Sequence, residues 1–322
     1  MAVNVARYRR ADQVGWGVVD GESIRPIVGD HQTTAAFVEE AADRVIRGEA
    51  VTTEPIGIDE VTVLCPITSN QQFLCQAINY RSHMTESGID PASSPFNIFF
   101  RKASSCLASA DADIVVPPHV RFCDYEVEIG LVLRRTVNGA TSIAPGRLID
   151  HVAGLVIVND VSARDVQLAE GQFYKGKSYR TFGPVGPWLT LVDADDLTRF
   201  DQLRLRLWVN GHSRQDGTAA EMIHLPAPSL TELSAVQDWG PGDLLATGTP
   251  GGCALQAPPK PIAAAIQLVS PKRRAALLRR SAARNDRRLV AGDVVTAAID
   301  TPDGAIDLGR QRNEVVDDTA AG

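Results

Sequence analysis

Two glutamates, Glu126 and Glu128, stand two residues apart in the run FCDYEVEIGLVL, and a third acid, Asp160, closes the apolar run HVAGLVIVND. If the first run is a β-strand, alternation puts Val127, Ile129, Leu131 and Leu133 on one face and Asp124, Glu126 and Glu128 on the other. Carboxylates so close together suit a hard divalent cation, which takes about six oxygen ligands and leaves some of those positions to water and substrate. A pair alone more often marks only a solvated sheet face. Asp160 adds weight to the metal interpretation, because an acid ending a buried strand is costly unless it is exposed, paired or metal-bound.

Arg164 and Gln167 follow Asp160 at i+4 and i+7. They fall on one face of a helix that Ser162 and Asp165 would open as a capping-box-like pair. There they could meet a substrate carboxylate or carbonyl; the plainer alternative is an Arg–Asp pair at a helix start. In NYRSHMTE, His83 and Glu86 are spaced i, i+3, so on a helix the carboxylate could orient the imidazole to activate a water. Lys177, in the Gly- and Pro-rich stretch YKGKSYRTFGPVGP, could project from an irregular segment into a cleft and stabilise developing negative charge, with Lys175 as its rival. The small residues ATGTPGG at 246–252 offer backbone N–H groups and the hydroxyls of Thr247 and Thr249 to an anion. They match neither a P-loop nor a dinucleotide fingerprint.

These residues need a scaffold, and 322 residues with 44% hydrophobic side chains can supply a core for one large domain and a smaller one. The spacing of short apolar runs and turn residues predicts a small β-rich domain over 1–68, with one helix in TTAAFVEEAADRVIRG, and a β-rich α+β domain over 69–322. In LRLRLWVNGHSRQ, leucines alternate with polar residues up to Asn210-Gly211, a type I′ hairpin signal. Residues 258–290 turn Pro-rich and then basic, which predicts a helical surface insertion; a dimer contact or an anion-attracting rim is the sharper alternative.

The excess of 39 carboxylates over 32 Lys and Arg disfavours nucleic acid as partner. No stretch reaches the ~18 apolar residues of a membrane span, and the charged opening does not look like a signal peptide, so we expect no membrane and a cytoplasmic location. Five cysteines with no CxxC pair predict reduced thiols rather than disulfides or a structural zinc site.

Taken in order, NYRSH, DYEVE, NDVSARDVQ, KGKSYRTFGPVGP, the VNG hairpin and GPGDLLATGTP resemble the fumarylacetoacetate hydrolase family, from about residue 70 onward, with DGAIDLG at 303–309 in keeping. The resemblance implies a β-rich core of rolled or sandwiched mixed sheet, a homodimer and a small-molecule substrate. It implies Glu126, Glu128 and Asp160 as ligands of Mg²⁺ or Mn²⁺, with Ca²⁺ as a further candidate and Asp124 beside the set. It also implies His83, Glu86 and Lys177 as catalytic groups, the first two on a mobile lid, and Tyr80, Arg164, Gln167 and Thr249 as substrate-binding groups. The expected reaction is hydrolysis of a C–C bond in a 2,4-dioxo acid of the acylpyruvate or fumarylpyruvate kind, through a metal-held enolate. Isomerisation or decarboxylation of a 2-oxo dioate, such as a hydroxyheptadienedioate or oxaloacetate, is the nearest alternative. A non-catalytic metal-binding protein is the alternative of another class.

Overall fold

The two acid-bearing runs become neighbours. A computed structural model of the chain describes residues 2–52, 54–93, 96–256 and 285–318, with positions 269, 270, 273 and 276. In it the strand Val127–Leu133 pairs antiparallel with Val152–Asn159, in a register running from Val127 opposite Asn159 to Leu133 opposite Val152. Every residue of both strands is buried. Val127, Ile129, Leu131 and Leu133 join one core with Leu205, Leu207, Ile299 and Leu308, while Val132, Val156 and Val158 join a second core with Trp16, Phe37 and Phe73. Each such side chain contributes about 1.5–3 kcal/mol when fully buried. This pair of strands therefore gives charged groups a fully buried, well-packed support.

Among the described residues the pair lies inside an eleven-stranded sheet. On one side follow Leu244–Ala246, then Phe73–Ala77, parallel to it, and Ile98–Lys102 at the edge. On the other side Leu189–Leu191 joins Val3–Arg10, so the segment read as a leading domain continues the same sheet. A five-stranded sheet in the order His212–Thr218, Arg204–Val209, Val294–Asp300, Asp307–Asp317, Ile114–Val116 contributes to the first core. The hairpin in it turns at Asn210 and Gly211 with φ of 52° and 76°, both positive as a type I′ turn requires. Among the described residues no helix is long and apolar enough to cross a membrane.

Four local expectations are corrected. The run FCDYEVEIGLVL is not one strand: Cys123–Asp124 pairs with Ser162–Ala163, and the long strand starts only at Val127. Side chains replace the ladder at the break, where Asn159 Oδ1 accepts from Glu126 N–H and Gln215 Oε1 from Val127 N–H. No capping box opens the helix Arg164–Glu170, because Ser162 is held in its short strand and Asp165 accepts from the N–H groups of Arg121 and Phe122. The single helix expected near residue 40 is two, Thr34–Glu40 and Ala42–Ile46, broken at Ala41. Lys177 ends a one-turn helix, Tyr174–Lys177, rather than lying in irregular chain. Most of the basic stretch 258–290, read as a helical insertion, lies outside the described residues; of those described, positions 273 and 276 are helical, 285–290 is not, and Leu289 bridges to Cys123.

Candidate active site

The strand break turns three acids toward each other. One carboxylate oxygen from each of Glu126, Glu128 and Asp160 lies within 4.8 Å of the other two. Glu126 and Asp160 are also tied through the backbone, Asp160 N–H donating to the Glu126 carbonyl at 2.8 Å. Asp124 stands behind them, fully buried, and accepts from Arg164 Nε at 2.8 Å and from the N–H groups of Tyr125, Ala254 and Leu255.

Three buried cations face these four carboxylates. Lys177 Nζ donates to Glu126 Oε2 at 2.6 Å and to Asp160 Oδ2 at 2.5 Å. Arg164 forks between Asp124 and Glu126 and also donates to Gln167 Oε1 at 3.1 Å. Lys102, which the sequence reading passed over, donates to Asp160 Oδ1 at 2.5 Å and to the Phe182 carbonyl at 2.7 Å. Its signal was weak: it ends the strand Ile98–Lys102, but Arg101 just before it makes the segment look like an ordinary exposed edge strand.

Four carboxyl groups face three cations, and Glu128 is the one left without a cation of its own. That residue makes no ion pair among the described residues; its Oε2 accepts only from Gly248 N–H, at 2.8 Å. Burial, then the charges of Asp160 and Glu126, push its carboxyl well above the usual range. Glu126 behaves oppositely. Burial again pushes it up, but Arg164, Lys177 and His83 outweigh this and hold it at about 2. Burial lowers the Lys177 ammonium and Asp160 and Glu126 outweigh it, so it stays charged with a raised pKa. An all-oxygen donor set with one uncompensated carboxylate fits a hard divalent cation such as Mg²⁺, Mn²⁺ or Ca²⁺.

The cover of the site is the helix Arg81–Glu86. It docks on the glycine loop after Ala246: Gly251 N–H donates to Ser82 Oγ at 3.0 Å and Gly252 N–H to Glu86 Oε2 at 2.7 Å. Glu86 is thus engaged with the loop, and no hydrogen bond joins it to His83, whose Nδ1 instead faces Cys253 Sγ at 3.9 Å. Burial lowers the His83 pKa, with Glu126 opposing, so the ring is neutral at pH 7. Tyr80, at the helix start, is completely buried, and burial followed by the charge of Glu128 raises its phenol well above 10.

The remaining sequence candidates divide. Gln167 is buried against Arg164. Thr249 is committed to scaffold, donating to the Val127 carbonyl at 2.9 Å and accepting from Gln215 at 2.8 Å. Lys175, the rival of Lys177, is exposed and pairs with Glu170.

The family described as "Fumarylacetoacetate (FAA) hydrolase C-terminal" matches residues 72–316, and "Rv2993c-like, N-terminal" matches residues 5–66. Protein Rv2993c of Mycobacterium tuberculosis is 31% identical over 252 residues, 78% of this chain and 89% of that protein. The crystal structure of 2-hydroxyhepta-2,4-diene-1,7-dioate isomerase from Mycobacterium marinum superposes with a TM-score of 0.70 at 24% identity, covering 98% of this chain and 99% of the other. That of maleylpyruvate hydrolase from Sphingobium sp. SYK-6, in complex with manganese(II) and pyruvate, gives 0.68 at 22% identity with the same coverage. This chain belongs to the fumarylacetoacetate hydrolase family.

Proposed function

We propose that the protein is a divalent-cation-dependent hydrolase that splits a C–C bond of a 2,4-dioxo acid of the acylpyruvate or fumarylpyruvate kind. The observation that carries this is the convergence of Glu126, Glu128 and Asp160, with His83 on the cover side also close to Glu126. Those three acids would hold Mg²⁺ or Mn²⁺, with Ca²⁺ a weaker fit to catalysis. When bound, the cation supplies Lewis acidity toward the oxygens of a 2-oxo acid.

The chain's own residues do the rest. His83, neutral because it is buried, takes a proton from water at Nε2, since Nδ1 is turned to Cys253. The hydroxide so formed adds to the distal carbonyl; the C–C bond breaks, the electron pair stays with the pyruvate fragment, and the proton returns from His83 to that fragment's methylene carbon. Lys177 and Arg164, fixed and charged, balance the negative charge that develops on that fragment. Tyr80 and Gln167 line the substrate side, and the helix Arg81–Glu86 excludes bulk water when docked.

The manganese and pyruvate reported for the Sphingobium enzyme support this assignment. The isomerase from Mycobacterium marinum supports the second one, isomerisation or decarboxylation of a 2-oxo dioate on the same residues. Two measurements test both. Exhaustive chelation should abolish turnover and Mg²⁺ or Mn²⁺ should restore it; full activity of the chelated protein refutes the cation's role. Product analysis on acylpyruvate should give two acids, whereas a product of unchanged mass or released CO₂ replaces hydrolysis with the second assignment.

A further inference from the structure

Cys253 has no task in this scheme, yet it stands beside its base. Its side chain is fully buried, with Sγ 3.9 Å from His83 Nδ1 and 3.8 Å from Gln215 Nε2. A His83 ring nitrogen, this sulfur and a Glu126 oxygen all lie within 4.8 Å of one another. The types differ from the acid set: nitrogen, sulfur and oxygen are donors that suit a borderline-soft ion. With Zn–S of ~2.3 Å and Zn–N of ~2.0–2.1 Å, two ligands of a tetrahedral zinc ion sit about 3.5 Å apart. The observed sulfur-to-nitrogen separation needs a change of only a few tenths of an ångström.

The two halves of this group come from positions 170 residues apart, and both are held. Ser82 and Glu86 fix the helix to Gly251 and Gly252 on one side of Cys253. Asp124 fixes Ala254 and Leu255 on the other. Gly252 has φ of +108°, and a Cβ there would meet the Arg214 carbonyl oxygen at 2.0 Å, so its backbone has little freedom. Glu126 already accepts from Arg164 and Lys177, but a carboxylate's two oxygens offer about four lone-pair sites. The other four cysteines belong to no comparable donor group among the described residues.

We propose that His83, Cys253 and Glu126 form a second cation site, selective for Zn²⁺, that shares one carboxylate with the all-oxygen set. Binding releases the thiol proton to solvent and ties the helix Arg81–Glu86 to the glycine loop. Resting on the assignment of His83 as base, zinc inhibits turnover in the presence of saturating Mg²⁺, because the imidazole is no longer free to move a proton.

The test uses the full chain saturated with Mg²⁺ and titrated with Co²⁺ as the spectroscopic substitute for zinc. A thiolate-to-cobalt charge-transfer band should appear at one equivalent. It should vanish in Cys253→Ala, and His83→Ala should weaken cobalt binding by about tenfold or more, the scale on which lost ligand support lowers metal affinity. No band in the wild-type chain, or a band that survives Cys253→Ala, overturns the proposal. X-ray absorption at the zinc edge of the wild-type chain is independent of how the variants fold: a first shell with one sulfur and one imidazole supports the site, and a shell of oxygens alone overturns it. Mn²⁺ binding followed by electron paramagnetic resonance separates the two sites. If Mn²⁺ binds and the band is absent, only the soft site fails; if the band forms and Mn²⁺ does not bind, the all-oxygen assignment fails.

Discussion

The floor of the site and its cover are built on opposite principles. The floor rests on two fully buried strands and neutralises its acids with Lys102, Lys177 and Arg164, each making at least two polar bonds. The cover is a six-residue helix tied to the glycine loop by hydrogen bonds to Ser82 and Glu86 and seated by the buried side chain of Met84. A buried ion network loses several kcal/mol when one partner is removed, whereas a single hydrogen bond contributes about 0.5–1.5 kcal/mol net, or about 1.5–3 kcal/mol when one partner is charged. The floor is thus the more strongly coupled of the two, and the cover is held by ties that are weaker one by one. Such a division suits an enzyme that must position charge rigidly and still admit its substrate.

Asp160 carries the largest expected effect on the floor. Asp160→Ala strands Lys102 and Lys177 without a shared partner and should destabilise the chain by about 3–5 kcal/mol in urea unfolding. A loss under 1 kcal/mol would mean the floor is not an interdependent network. On the cover, His83→Ala should cost about 10²–10⁴-fold in kcat/KM. It should leave the urea midpoint and Mn²⁺ affinity almost unchanged, and a comparable loss of stability would erase the distinction between the regions.

Glu128→Gln sharpens it further, because its sign is opposite to that of Asp160→Ala. The folded pKa of Glu128 is raised, so in metal-free protein its ionisation opposes folding, and stability falls as pH climbs from the ordinary carboxylate value toward the raised one. The amide should therefore unfold no earlier than wild type at pH 7 under chelation, while Mn²⁺ binding drops by about tenfold or more, as for lost ligand support. Earlier unfolding of the variant would show that Glu128 is held ionised. His83 gives the pH test of the cover. Its lowered pKa puts the acid limb of kcat/KM below the usual histidine value of about 6.5, and a limb above that value contradicts a buried neutral base. The smallest effect belongs to Glu86→Gln, which keeps an oxygen for Gly252 N–H. It should retain activity within about tenfold, the scale of one hydrogen bond, and a larger loss would assign Glu86 to orienting His83.

What could be read from the sequence was whatever local chain chemistry decides. Alternation fixed which residues of Val127–Leu133 share a core, Asn210-Gly211 fixed a hairpin, and an acid closing an apolar strand pointed to Asp160, because side-chain period and turn dihedrals depend on residues a few places apart. Six motifs in order were enough to identify the family. What escaped involved partners distant in the chain. The break at Tyr125 and Glu126 is made by Asn159 and Gln215, Lys102 meets Asp160 only across the sheet, and Glu86 turns to Gly252 rather than to His83. A buried charge or N–H takes whichever partner the packed core brings within reach, and that choice is made only when strands far apart in sequence are laid side by side.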